Sequence, residues 1–248
     1  MSRYVALGSS MAAGPGIRPR AAGAPCGSGR SARNYAHLVA DRLNLDLVDV
    51  TFSGATTAHV LAESQRGSPP QVDALNGSET LVTVTIGGND VGYIPLLMAG
   101  SLPRLIRLLP MIAALLDHGA REEALAQLGD SLCAVGAEVR RRAGRARVLF
   151  VDYLTLLPPA GMSAAPLSSA DADLGRHVAA RLEECTADAA QATGCGIVRA
   201  AQASREHHAW SAAPWTVGAG WPLPWRPAPF HPNAAGMRAV ADLLTAQL

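Results

Sequence analysis

Short β-rich runs alternate with helical stretches from one end of this chain to the other, and no other feature limits its fold as much. Residues 3–7 read as a first strand ending at Gly8. Residues 45–52, 80–86 and 146–151 read as the second, third and fourth strands, and 196–200 as a short fifth. Residues 80–86 (TLVTVTI) form a continuous run, as expected of a strand buried on both faces. Residues 32–43, 120–143, 169–192 and 233–248 have helical spacing, with Tyr35, Leu38, Val39 and Leu43 on one face of the first. Strand alternating with helix implies parallel pairing through crossovers, with helices on both sheet faces. The absence of a linker or repeat leads us to expect one domain over residues 1–248.

Two segments depart from this rhythm. Residues 96–116 are strongly apolar, but Arg104, Arg107 and two prolines interrupt them. Leu102, Leu105, Ile106, Leu109 and Ile112 would share a helical face. This segment reads either as a helix pair packed on the sheet or as an apolar cover over a pocket. Residues 210–230 form a long loop holding all four tryptophans, and a loop so long and aromatic is functional or a packed cap.

Composition excludes several classes. With 49% hydrophobic and 17% charged residues, the chain is not disordered, and no apolar run reaches the roughly 18 residues of a membrane span. A net charge of +1 gives no electrostatic case for nucleic acid. The arginine cluster at 140–147 reads as a solvated helix end. All 21 basic residues are arginine, which removes lysine chemistry: no Schiff base and no P-loop. Cys26, Cys133, Cys185 and Cys195 contain no CxxC pair, so no zinc site is expected. The N-terminus lacks a signal-peptide pattern, so a cytoplasmic protein with reduced thiols is expected unless a leader has been removed. Cys185 and Cys195 are the pair close enough in sequence to join under oxidising conditions.

Ligands of open parallel sheets bind beyond the carboxyl ends of the strands. There the sequence places Gly8-Ser9-Ser10-Met11-Ala12-Ala13-Gly14 after strand one and Ser53-Gly54-Ala55-Thr56-Thr57 after strand two. Gly87-Gly88-Asn89-Asp90 follows strand three, and Phe230-His231-Pro232-Asn233 precedes the last helix. Each string alone reads as a cap, a turn or a loop. Together they supply the needs of acyl transfer: a hydroxyl at a helix start, a histidine base and oxyanion donors. The donors would be the Ser10 and Gly54 N–H groups and the Asn89 side chain.

In order and spacing, these four blocks resemble the SGNH hydrolases, the GDSL esterase/lipase family. Gly8–Gly14 matches the family's Gly-Asp-Ser-x-x-x-Gly, Gly54 its block II glycine, Gly87–Asp90 its Gly-x-Asn-Asp, and His231 its histidine before proline. The resemblance implies a three-layer α/β/α sandwich with a flavodoxin-like five-stranded parallel sheet. It also implies hydrolysis of an ester or thioester through an acyl-enzyme, with Ser10 as nucleophile, His231 as base, and no metal or cofactor. The expected partner is a small-molecule ester; the apolar 96–116 segment and the tryptophan loop suggest acyl-chain lipids.

The chain departs from the pattern twice. Ser9 replaces the block I Asp. The family's triad acid lies three residues before the histidine, where this chain has Ala228, and no Asp or Glu occurs between Glu206 and Asp242. The imidazole still needs its tautomer fixed. A main-chain carbonyl from residues 227–229 is the favoured candidate and Asp90 the competing one. His207 reads as a loop residue or a pocket-lining one, and His37, His59, His118 and His177 as surface or packing residues. The alternatives are a carbohydrate O-deacetylase, phospholipase or thioesterase on the same fold, or a binding protein that lost catalysis with its acid.

Overall fold

β1 (Arg3–Gly8) leads through a single turn, α1 (Ser10–Ala13), and a long loop to α2 (Tyr35–Leu43) and β2 (Asp46–Asp49). Then come α3 (Thr57–Leu61), β3 (Glu79–Thr85) and three consecutive helices, α4 (Tyr93–Gly100), α5 (Arg104–Arg107) and α6 (Pro110–Leu115). α7 (His118–Arg142), β4 (Arg147–Val151), α8 (Ser169–Ala192), β5 (Gly196–Val198), α9 (Ala200–Ala203) and α10 (Ala234–Thr245) complete the chain. The computed structural model describes residues 2–223 and 226–248; Trp225, one of the four loop tryptophans, lies outside the described residues.

The five strands form one parallel sheet in the order β2-β1-β3-β4-β5. Successive strand side chains face opposite ways, and this divides the interior into two cores. Val5, Leu7, Val82, Val84, Val148 and Phe150 meet α4, α7 and α8 on one face. Tyr4, Ala6, Leu81, Leu149 and Val151 meet α2 and α10 on the other. The fold is therefore the three-layer α/β/α sandwich, flavodoxin-like in its central sheet. Thr83 and Thr85, polar residues inside the second core, each share a 2.8 Å hydrogen bond with a tyrosine hydroxyl, that of Tyr4 and Tyr35 respectively. Such pairing removes the cost of burying the hydroxyls.

Several boundaries differ from the sequence reading, each for a local reason. β2 stops at Asp49 because its carboxylate turns back to accept from Thr51 N (3.0 Å) and Oγ1 (2.7 Å). α2 begins at Tyr35, where the Asn34 side chain accepts from His37 N. β5 ends at Val198 because Ala200 opens α9, whose Ala201 N–H is taken by Asp152 Oδ1 at 2.8 Å.

The largest correction concerns residues 96–116. They make three short helices in place of a pair, because Pro103 stands at the N-cap of α5 and Pro110 at the first turn of α6. The expected apolar face through Leu102, Leu105, Ile106, Leu109 and Ile112 is thereby divided. Leu96 and Leu97 of α4 are buried against the sheet, whereas α5 and α6 bury no side chain fully. All four cysteines are free, and no helix among the described residues is long and apolar enough to cross a membrane.

Candidate active site

β2, β1, β3 and β4 are neighbours, so the loops leaving their carboxyl ends gather on one rim of the sheet. Those loops carry Gly54, Ser10, Asn89 and Tyr153. Gly8 closes β1 with φ +141°; a Cβ there would lie 2.4 Å from the Thr85 carbonyl oxygen, so only glycine lets β1 and β3 approach so closely. The Gln71 side chain clamps the same residue, accepting from Gly8 N (2.7 Å) and donating to Gly8 O (3.0 Å).

Ser10 opens α1. The helix is one turn long, so little macrodipole accumulates at its start. Neither that N–H nor the Gly54 N–H has a protein acceptor among the described residues. Gly54 adopts φ +80°, a left-handed conformation suited to glycine, in an exposed turn. Asn89 Nδ2 donates to Ala55 O at 2.8 Å, which fixes the amide beside the block II loop and leaves its second N–H uncommitted.

His231 comes from the other end of the chain. The stretch around it pairs with residues 215–217: Phe230 N donates to Val217 O, Val217 N to His231 O, and Asn233 N to Trp215 O, each at 2.9 Å. Phe230, fully buried, has φ +57°, an uncommon conformation for a bulky residue, held by this pairing. Asn233 then caps α10 by accepting from Ala235 N and Gly236 N. The imidazole lies buried with Nε2 2.8 Å from Ser10 Oγ and Nδ1 2.7 Å from the carbonyl oxygen of Pro229. A carbonyl can only accept, so Nδ1 carries the proton and Nε2 is left to accept from the serine. Burial, only partly offset by the Pro229 bond, holds the imidazole below its ordinary pKa.

The carboxylate considered for this role is engaged elsewhere. Asp90 accepts from Thr57 N (3.0 Å) and Thr57 Oγ1 (2.5 Å), which ties the block III loop to α3 and leaves His231 Nδ1 to the main chain. Burial pushes its carboxyl pKa upward. His207 does not reach the pair. It stacks on Trp215 at 4.0 Å and 5°, and its Nδ1 pairs with Ala213 O, bracing the segment that pairs with Phe230 and His231. His59 Nδ1 accepts from Thr56 N at the start of α3.

Sequence reasoning overlooked Tyr153. Its buried hydroxyl accepts from Gly88 N–H and shares a bond with Ser9 Oγ, both at 3.0 Å, joining block I to block III. Ser9, at the position of the family's Asp, thus spends its hydroxyl on this link. The same strand-end rule that singled out the other three loops points to Asp152 and Tyr153, which follow β4 directly. Gln71 carries no such signal. Asp152 is also unusual: burial pushes its carboxyl up to about 7.

A parallel α/β/α sandwich with its serine and histidine joined at the strand carboxyl ends is the architecture of a carboxylic ester hydrolase of the SGNH type. The pattern of the GDSL-like lipase/acylhydrolase family matches residues 6–239. Lipase 2 of Streptomyces coelicolor is 34% identical over 251 residues, covering 96% of this chain and 83% of its own. Phospholipase A1 from Streptomyces albidoflavus superimposes with a TM-score of 0.83 at 26% identity, covering 100% of this chain and 99% of its own. The extracellular lipase of Streptomyces rimosus gives the same TM-score at 24% identity, each chain covered completely. The chain belongs to the GDSL-like lipase/acylhydrolase family.

Proposed function

We propose that this family member hydrolyses carboxylic esters, acyl-chain lipids among them, through a Ser–His dyad and a covalent acyl-enzyme. One observation carries the reading: the 2.8 Å bond from Ser10 Oγ to His231 Nε2, with Nδ1 engaged by the Pro229 carbonyl. Ser10 Oγ attacks the acyl carbonyl as Nε2 takes its proton. The Ser10 and Gly54 N–H groups and the free Asn89 N–H receive the negative oxygen of the tetrahedral intermediate. Collapse expels the alkoxide, protonated by Nε2, and a water activated by the same nitrogen releases the acid. Pro229 fixes the tautomer as a triad carboxylate would, without adding charge beside the imidazolium. Lipid substrates are supported by the names of two relatives, a lipase and a phospholipase A1.

The first experiment is labelling with a fluorophosphonate. Wild-type protein is expected to label stoichiometrically and to cleave p-nitrophenyl esters, with Ser10→Ala losing both. Undiminished hydrolysis by the folded Ser10→Ala variant would refute the assignment. Esters of graded chain length then separate the readings, since a sharp preference for acetyl speaks for a deacetylase and against lipid.

A further inference from the structure

The face built by α5, α6 and residues 221–223 is left uncovered among the described residues. Leu105 is 82% exposed, Met111 80%, Trp221 77% and Leu108 70%, with Leu109 and Leu223 also exposed. Monomeric proteins rarely present so many large apolar side chains together. Trp221 borders an apolar groove with Met98, Leu102, Pro103 and Gly220, which sets it beside the end of α4 and the residue that caps α5.

Its charge is equally uneven. Among 20 Asp and Glu residues, none falls between Asp90 and Asp117 or between Glu206 and Asp242, the two stretches that build this face. On the helices, Arg107 is paired with Asp171 at 2.6 Å, while the exposed Arg104 has no carboxylate partner among the described residues. Protruding leucine and methionine, an exposed tryptophan and an unpaired arginine, with Asp171 already paired to Arg107, are the complement of an anionic lipid surface.

We infer that this face docks the protein on anionic lipid surfaces. Its position gives the docking a use. α4 to α6 follow directly from Asn89 and Asp90, and Trp221 stands ten residues before His231, so both halves of the candidate site lead onto this face. That use rests on the esterase reading; the docking itself does not.

The test is co-sedimentation with vesicles of diether phosphatidylglycerol or diether phosphatidylcholine, whose ether linkages cannot be hydrolysed. Wild-type protein is expected to bind the anionic vesicles, and to bind them less at high salt. The variant Leu105→Ser/Leu108→Ser/Met111→Ser, altered only at exposed positions, should bind at least about ten-fold more weakly. Arg104→Gln should lose about five-fold on the anionic vesicles alone. Both variants should hydrolyse a soluble acetyl ester as wild type does. Equal vesicle binding by wild type and the triple variant, or none by either, overturns the inference. So does a solution dimer that the triple variant disperses without any vesicle binding, which would assign the face to a second copy. Vesicle binding without ester hydrolysis or fluorophosphonate labelling would instead sink the catalytic reading and leave the docking intact.

Discussion

In the proposed dyad, His231 has a neutral partner on Nδ1, and this bears on its proton affinity. In a triad the carboxylate beside Nδ1 favours imidazolium and raises the histidine pKa; here Nδ1 meets a neutral carbonyl, and burial pushes the ring below its ordinary value. As the proposed base, the ring must be neutral to take the Ser10 proton, so activity should persist as pH falls and decline only when the depressed pKa is crossed. The acid limb of kcat/KM is therefore expected to have its midpoint below about 6.5, the value for an unperturbed imidazole. A pH–rate profile on a soluble ester measures it. A midpoint at or above about 7 would mean that a carboxylate acts on the ring after all.

At the scale of elements, β1, β3 and β4 are legible because burial on both faces demands continuous apolar runs, whereas β2, at the sheet edge and never fully buried, gives blurred limits. Residues 96–116 misled because apolarity signals burial only if the backbone can present it; Pro103 and Pro110 divide the helix, and Leu105, Leu108 and Leu109 face water. The serine, glycine, asparagine and histidine of the site stand at strand ends and before a helix, where the fold's own logic directs attention. The group holding Nδ1 is main chain and has no residue signature; only the missing acid pointed to it. Tyr153 joins the loops after β1 and β3 from the end of β4, a role that needs the sheet order to be seen. Tyr153→Phe deletes that link and leaves the Gly88 N–H unpaired, at a cost of about 1–3 kcal/mol. With the loop free to shift, kcat should fall roughly ten- to hundred-fold with little change in KM. A lowered melting temperature with unchanged kcat would reduce Tyr153 to a structural prop.

Across the whole molecule, the pairing of Ser10 with His231 depends on closing the chain, since the two lie 221 residues apart. α10 provides the closure. Met237, Val240, Ala241 and Leu244 pack on Tyr35, Ala36 and Val39 of α2 and on the sheet beneath, and Arg42 meets Asp242 at 2.7 Å across the same seam. α10 begins at Asn233, which is also tied to Pro214 and Trp215, so its packing fixes the segment that carries His231. Burying this helix therefore serves stability and the geometry of the candidate site together. Leu244 is fully buried three turns from His231, so trimming it weakens the closure without touching the site. Leu244→Ala is expected to cost about 2–5 kcal/mol and, for a chain of this size, to lower Tm by roughly 5–20 °C. At 25 °C the variant should retain near-normal kcat, and on heating its activity should vanish together with its circular dichroism. Activity lost well below the unfolding transition would show that α10 can detach by itself, and that the rest of the fold stands without the contact that completes the site.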